Sequence, residues 1–416
     1  ARRQLIEEPS GDLIRPLSYL CRYMEKAMSF EKLTQYLESL KDSDGIEGLD
    51  LIVKKNHQVL YRHKQGCNDY DCTRLVSEQD LYYLYSCTKI ATMVACMQQV
   101  EAGRIRLDAP VAEYLPEFAH MKVADHFELG DFGNMPNQAS PSHPAKNPIL
   151  IRQLMAMTAG LSYNTASEPI AELKRKSGNH ASTREMVGAI AMMPLLYEPG
   201  TRHAYSLGHD VIAAVIEVVT GQRFGDYVVE HVFEPLGVSD VFFHLREEDK
   251  GRLAAQYSCD FKTGRKSRHQ GNTFELTDQY DSGGAGLIAT VDGYSALLDA
   301  LACGGVGANG VQILSEESIE AIRTPQLNAV QLDDFTMKGM FRPGYNYGLG
   351  VRVLVDATKA KSPAGEFGWD GAAGAYALVD PKNGISLFYA QAILGLRGVY
   401  SDIHPRIRDL VYECLE

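Results

Sequence analysis

LYSCTKIATMVACMQQV (residues 84–100) decides how the rest of this chain is read. From Ile90 onward the run is apolar nearly all round, the pattern of a helix buried on every side. It nevertheless opens on Ser86 and Lys89, and lysine is seldom buried without a partner. Residues three apart on a helix share a face. A serine in the first turn sits where free N–H groups and the helix dipole favour developing negative charge. A lysine in an apolar site tends to lose its proton, which suits it to act as a base on a hydroxyl. Ser86 and Lys89 therefore predict an activated nucleophile that needs no histidine. Spacing alone does not establish this, because Ser29-Phe-Glu-Lys32 has it too, at the head of an amphipathic helix where it means a capped surface helix.

The 416 residues, 45% of them hydrophobic, suffice to bury a large core. The net charge of −12, from 53 acidic and 41 basic side chains, argues against nucleic acid as a partner. KTGRKSR (262–268) reads as a solvated loop. No run of about 18 apolar residues predicts a membrane span, and ARRQLIEEPSGDLIRPLSYLCRYMEKA lacks the apolar centre of a signal peptide. That stretch, residues 1–27, reads as an extension ahead of a single unit over 28–416. Eight scattered cysteines with no C-x-x-C pair predict reduced thiols and a cytoplasmic protein. Cys67 and Cys72 are near enough to pair or to share a metal, but no group of histidines or further cysteines joins them.

Phe30, Leu33, Tyr36, Leu37 and Leu40 fall at helical spacing. LDLIVKK (49–55) and QVLYRHK (58–64) predict a hairpin around Asn56 and His57. Residues 105–280 read as helices broken by loops, among them the Gly-, Pro- and Asn-rich 130–148. HDVIAAVIEVVTG (209–221) is a helix with a glycine stop. YGLGVRVLVD (347–356), GAYALVD (374–380) and ISLFYAQ (385–391) read as strands, the last two joined by a Pro-Lys-Asn-Gly turn, and a helix closes the chain from Pro405 to Leu415. The fold class that follows is α/β of the α+β type. An antiparallel sheet from about 28–85 and 285–416 is flanked by helices, with a large all-helical region over about 86–284. Chemistry belongs in the cleft between the two regions.

YSCTKIATMVACMQQVEAGRIRLDAPVAEYLPEF (85–118) resembles the active-site helix and following loop of the class C β-lactamase and penicillin-binding protein superfamily. Further blocks are similar to that family in its own order: IRQLMAMTAGLSY (151–163), EPGTRHAYSLGHDVIAAVIEVVTG (198–221), DSGGAGLIATVDGYSALLDALACGG (281–305) and FGWDGAAGAYALVDP (367–381). The resemblance runs from about residue 45 to the C-terminus and implies a β-lactamase/transpeptidase-like fold. It implies that Ser86 is acylated with Lys89 as base, and that Tyr205 relays a proton to the leaving group and later activates water. The backbone N–H groups of Ser86 and Ala372 would form the oxyanion hole, a contribution that is often the largest in such catalysis.

Two departures bear on the substrate. The second motif, usually Tyr-x-Asn, is Tyr205-Ser206-Leu207, and the third, usually Lys-Thr-Gly or His-x-Gly, is Trp369-Asp370-Gly371. A literal Lys-Thr-Gly at 262–264 lies in a polar stretch ahead of DSGGAGL and reads as a decoy. Leu207, Trp369, Asp370 and Gly371 are thus the expected substrate-binding residues. The family's third-motif cation helps hold a substrate carboxylate. Asp370 in the cleft would instead repel one, by on the order of 4 kcal/mol at about 4 Å. It could equally attract an amine, or point away, since alternate strand residues face opposite sides. His203 and His209 flank Tyr205 but read as satisfied structural residues, and Cys87 as packing.

The motif variants look like those of the family VIII carboxylesterases. They imply a serine hydrolase acting through an acyl-enzyme on small acyl esters, with no metal or organic cofactor. Small-molecule esters or amides are the expected partners. A β-lactamase, D,D-peptidase or aminopeptidase-type amidase, an acyltransferase and a catalytically silent ligand-binding relative remain as alternatives.

Overall fold

The computed structural model describes residues 30–130, 135–260, 262–339 and 342–415. The expected extension over 1–27 and the Ser29 of the second S-x-x-K match lie outside the described residues.

In chain order the elements that place the site are helix α1 (Glu31–Asp44), strands β1 (Gly48–Lys55), β2 (Gln58–Gly66) and β3 (Leu81–Tyr83), helices α2 (Thr88–Glu101) and α3 (Gly208–Thr220), strand β4 (Ile288–Thr290) running into helix α4 (Val291–Ala302), strands β5 (Tyr345–Tyr347), β6 (Arg352–Leu354), β7 (Phe367–Asp370), β8 (Tyr376–Asp380) and β9 (Ile385–Ala390), and helix α5 (His404–Glu413). The main sheet has seven strands in the order β5-β6-β7-β8-β9-β1-β2, every neighbouring pair antiparallel. The hairpin turn expected at Asn56 and His57 is present, with both residues at positive φ, the conformation that matches strand twist in a tight hairpin.

β1 is buried along most of its length because both faces of the sheet are covered. Leu49, Leu51 and Val53 pack outward with Leu33, Leu37 and Leu40 of α1 and with Ile407, Leu410 and Val411 of α5. Ile52 faces the other way, into a core that also holds Phe388, Leu297, Leu301, Met93 and Val94. α2 is buried at every position from Thr88 to Met97, as its sequence requires.

The expected strand over 347–356 is interrupted. The backbone of Gly348 lies so close to the Ile322 carbonyl that a Cβ would sit 2.2 Å from that oxygen, and Gly350 adopts φ 82, which splits the run into β5 and β6. The segment read as mostly helical also contains a short hairpin, Gln256–Cys259 with Lys266–His269. Lys262–Gly264 forms the exposed turn of that hairpin, tied by Asp260, and takes no part in the cleft.

The reduced-thiol expectation fails at one pair, because Cys67 and Cys72 form a disulfide. Asp69 accepts the N–H groups of Thr73 and Arg74 and folds the loop back, bringing the two Cα atoms to 5.1 Å. Among the described residues no helix is long and apolar enough to cross a membrane.

Candidate active site

β3 pairs with β4 and delivers the chain to Tyr85–Cys87, one tight turn that opens α2. Tyr85 adopts φ 47, a left-handed conformation that costs a non-glycine residue on the order of 1–2 kcal/mol. Burial of its ring and a 2.7 Å bond from its hydroxyl to Gln256 Oε1 hold it there. The turn leaves Ser86 half-exposed between buried Tyr85 and Cys87.

Lys89 is completely buried. Its Nζ donates to the Gly284 carbonyl at 2.7 Å and lies 3.4 Å from Ser86 Oγ. Burial pushes its pKa down to about 7, against the opposing pull of Asp210. Near neutral pH a free amine therefore faces the serine hydroxyl. The Nζ also sits 4.6 Å from the centre of the Tyr205 ring and 5.6 Å from that of Tyr163, close enough for the rings to stabilise the ammonium once it forms.

The Trp369 indole N–H donates to Tyr205 Oη at 3.0 Å, and the two rings stack at 5.7 Å. Tyr163 stacks on Tyr205 at 5.3 Å. Burial raises the Tyr205 phenol well above its usual value, while hydrogen bonding from Ser86 and Trp369 opposes the rise. Tyr205 is therefore protonated at rest and suited to donate or relay a proton. Burial likewise keeps His203 and His209 neutral, His203 at about 4 and His209 well below the ordinary value. Both differ from the satisfied residues expected, since His203 Nε2 and both ring nitrogens of His209 have no hydrogen-bond partner.

The turn after β7 closes over Ser86. Gly371 packs so tightly on the Leu84 carbonyl that a Cβ would lie 2.5 Å from its oxygen, and the Trp369 carbonyl lies 3.7 Å from Cys87 Sγ. Ala372 follows directly and packs against the cluster that holds Tyr85. Tyr400 donates to the Gly371 and Ala372 carbonyls at 3.0 and 3.2 Å, which fixes the peptide planes there.

Ser86, Lys89, Tyr205 and Trp369 thus converge, and three expected substrate contacts do not join them. Leu207 caps α3 and is 3% exposed, turned into the apolar core. Gly371 serves the close approach to Leu84. Asp370 is buried on the opposite face of β7, ion-paired with Arg342, with Arg352 at 3.2 Å and with His404 Nδ1 at 3.2 Å. Burial acts to raise its pKa, but Arg342 and Arg352 outweigh that and hold its carboxyl well below the usual carboxylate range. Asp370 therefore neither repels nor attracts a substrate. The alternation of side chains along β7 puts Trp369 in the cleft and Asp370 behind it.

Sequence reasoning missed Tyr163 and Asp210. Tyr163 ends a quoted family block, with nothing local to mark it. Asp210 carries the same signal that singled out Lys89, a charge within an apolar helix. Its Oδ1 accepts Tyr280 Oη at 2.5 Å, Ser282 Oγ at 2.7 Å and the Gly284 N–H at 3.3 Å. A Cβ on Gly284 would lie 2.7 Å from Asp210 Oδ2 and 3.4 Å from Lys89 Nζ, so only glycine leaves room for this charge pair to face each other. Among the described residues no group of three metal-ligand side chains surrounds Ser86.

A serine paired with a buried lysine, on a helix packed under an antiparallel sheet, is the arrangement of the serine β-lactamase-like class. The sequence profile of the Beta-lactamase family matches residues 33–407, and the chain belongs to that family. It is 28% identical over 390 residues to esterase EstB of Burkholderia gladioli, covering 88% of this chain and 90% of that protein. It is 28% identical over 325 residues to acyltransferase calJ of Penicillium decumbens, covering 73% and 74%. The solved structure of EstCE1, described as a hydrolase with promiscuous acyltransferase activity, superposes with a TM-score of 0.74 at 24% identity, covering 94% of this chain and 99% of that one. These similar proteins are described as an esterase, an acyltransferase and a hydrolase.

Asp370→Asn is expected to lower the unfolding free energy by roughly 3–5 kcal/mol, because it strands buried arginines. The ratio of turnover on neutral and anionic substrates should stay unchanged. Denaturant melts and a substrate pair check both points. Asp210→Asn removes the charge that favours the Lys89 ammonium. The pH at which Ser86 labelling by a fluorophosphonate reaches half its plateau should therefore fall below that of the wild type.

Proposed function

We propose that this protein is a carboxylesterase acting on small uncharged acyl esters through an acyl-enzyme on Ser86. The Lys89 amine takes the Ser86 proton as Oγ adds to the ester carbonyl. The Ser86 and Ala372 N–H groups receive the oxyanion. As the carbonyl re-forms, the Tyr205 phenol gives its proton to the departing alkoxide and is reprotonated from the Lys89 ammonium. Water then repeats the sequence in reverse roles, with proton flow through Tyr205, and releases the acid.

The observation that carries the ester assignment is the Trp369–Tyr205 hydrogen bond. In the β-lactamases and D,D-peptidases that the sequence resembles, a third-motif lysine or histidine meets the substrate carboxylate. Here an indole occupies that position and spends its N–H on the catalytic phenol. The surrounding wall is aromatic, with Tyr163, Tyr205, Phe274, Tyr347 and Trp369 in mutual ring contact. Lys89, the basic side chain against the Tyr163 and Tyr205 rings, is engaged by Gly284. A carboxylate entering the cleft therefore loses water without gaining a partner, whereas a neutral ester does not.

Transfer of the acyl group to an alcohol instead of water uses the same intermediate, and similarity to acyltransferase calJ favours it as the second reading. Cytoplasmic residence stays part of the proposal for the free thiols Cys87, Cys96, Cys259, Cys303 and Cys414. The Cys67–Cys72 disulfide is the feature against it.

A panel of p-nitrophenyl esters, nitrocefin and D-amino-acid amides, run on wild type and Ser86→Ala, tests the assignment. Short-chain esters should be the best substrates, and Ser86→Ala should lose at least ~10³-fold in kcat together with fluorophosphonate labelling. Faster turnover of nitrocefin than of every ester would overturn the ester assignment, and labelling that survives in Ser86→Ala would overturn the nucleophile.

A further inference from the structure

The turn joining β1 to β2 meets the end of α4 in a cluster that the proposed reaction does not use. His57 sits at the tip with φ 69. Its backbone N–H donates to Asp299 Oδ1 at 3.2 Å, and its Nδ1 lies 2.8 Å from Asp299 Oδ2. Asp299 is in the last turn of α4, its side chain 2% exposed, whereas that of His57 is 32% exposed. Four residues further on, Cys303 caps the same helix with a free thiol on the face that Asp299 occupies. The imidazole nitrogen, a carboxylate oxygen and the thiol sulfur all lie within 4.8 Å of one another. The turn itself is anchored, because the Asn56 N–H bonds the Gly384 carbonyl at 2.8 Å.

A mixed nitrogen, oxygen and sulfur set is the donor chemistry of Zn²⁺ and similar borderline ions. Mg²⁺ and Ca²⁺ instead take oxygen ligands. Zinc bonds of about 2.0–2.3 Å put tetrahedral donors roughly 3.3–3.8 Å apart, so side-chain rotation is enough to close this set. The backbone is already held, by the turn on one side and the helix end on the other. Lys54 is the charged neighbour of Asp299 and the cation a metal would have to displace from its influence.

We propose that His57, Asp299 and Cys303 bind a zinc-class divalent ion, with water completing the tetrahedron on the exposed side of His57. On binding, the thiol releases its proton to solvent and the imidazole carries its own on Nε2. Asp299 exchanges its bond from the ring for one to the ion. The same helix reaches the nucleophile turn at its other end, where Tyr294 donates to the Cys87 carbonyl at 2.6 Å. The ion therefore fastens the hairpin to α4 and takes no part in turnover.

Calorimetric titration of the chelator-stripped chain with ZnCl₂, with Co²⁺ absorbance as a second readout, tests the site. Wild type should bind a single equivalent, show a thiolate-to-cobalt charge-transfer band and melt at higher temperature with zinc. His57→Asn retains a residue tolerant of positive φ. It and Cys303→Ala should each weaken zinc binding at least ~10-fold, and Cys303→Ala should remove the cobalt band. Ester hydrolysis should match wild type in both. No stoichiometric binding by wild type, or wild-type affinity in both variants, overturns the proposal.

Discussion

Everything around Ser86 depends on keeping an amine out of water. Lowering the Lys89 pKa from its ordinary value to about 7 disfavours the ammonium by roughly 5 kcal/mol. The fold supplies that desolvation by burying α2 on every side. What compensates is local: one carbonyl at Gly284, one carboxylate at Asp210 and two aromatic faces. The balance leaves a lysine that can hold or release its proton near neutrality, as a base acting on a serine must.

That balance demands close backbone approach, which explains where glycine is obligatory. At Gly284 a side chain would separate Asp210 from Lys89, and at Gly371 it would push the turn after β7 off the Leu84 carbonyl. Both positions depend on strand pairing from distant parts of the chain. β3 and β4 align the Tyr85–Cys87 turn with Gly284, and β7 is held in the main sheet by β6 and β8.

The sheet also separates two kinds of electrostatics. Trp369 and Asp370 are neighbours, yet one shapes an aromatic cleft and the other neutralises arginines behind the sheet. The Tyr205 side of β7 thus carries aromatic rings, while the charges of Asp370, Arg342 and Arg352 lie behind it. This arrangement suits a substrate that carries no charge of its own.

Elements whose patterns are local could be read from the order of residues alone. The periodicity of α1, the all-apolar α2, the β1–β2 turn at Asn56 and His57 and the glycine stop of α3 were legible because each reflects burial or turn chemistry over a few residues. Ser86, Lys89 and Tyr205 were legible through spacing and ordered family blocks. Packing in three dimensions set the direction of Asp370, the inward turn of Leu207, the convergence of Tyr163 and Asp210 on Lys89, and the Cys67–Cys72 disulfide. Each of these turns on partners far away in sequence, on which face of a strand they approach, or on how tightly a loop folds back. A linear pattern carries no record of those contacts until the chain has closed on itself.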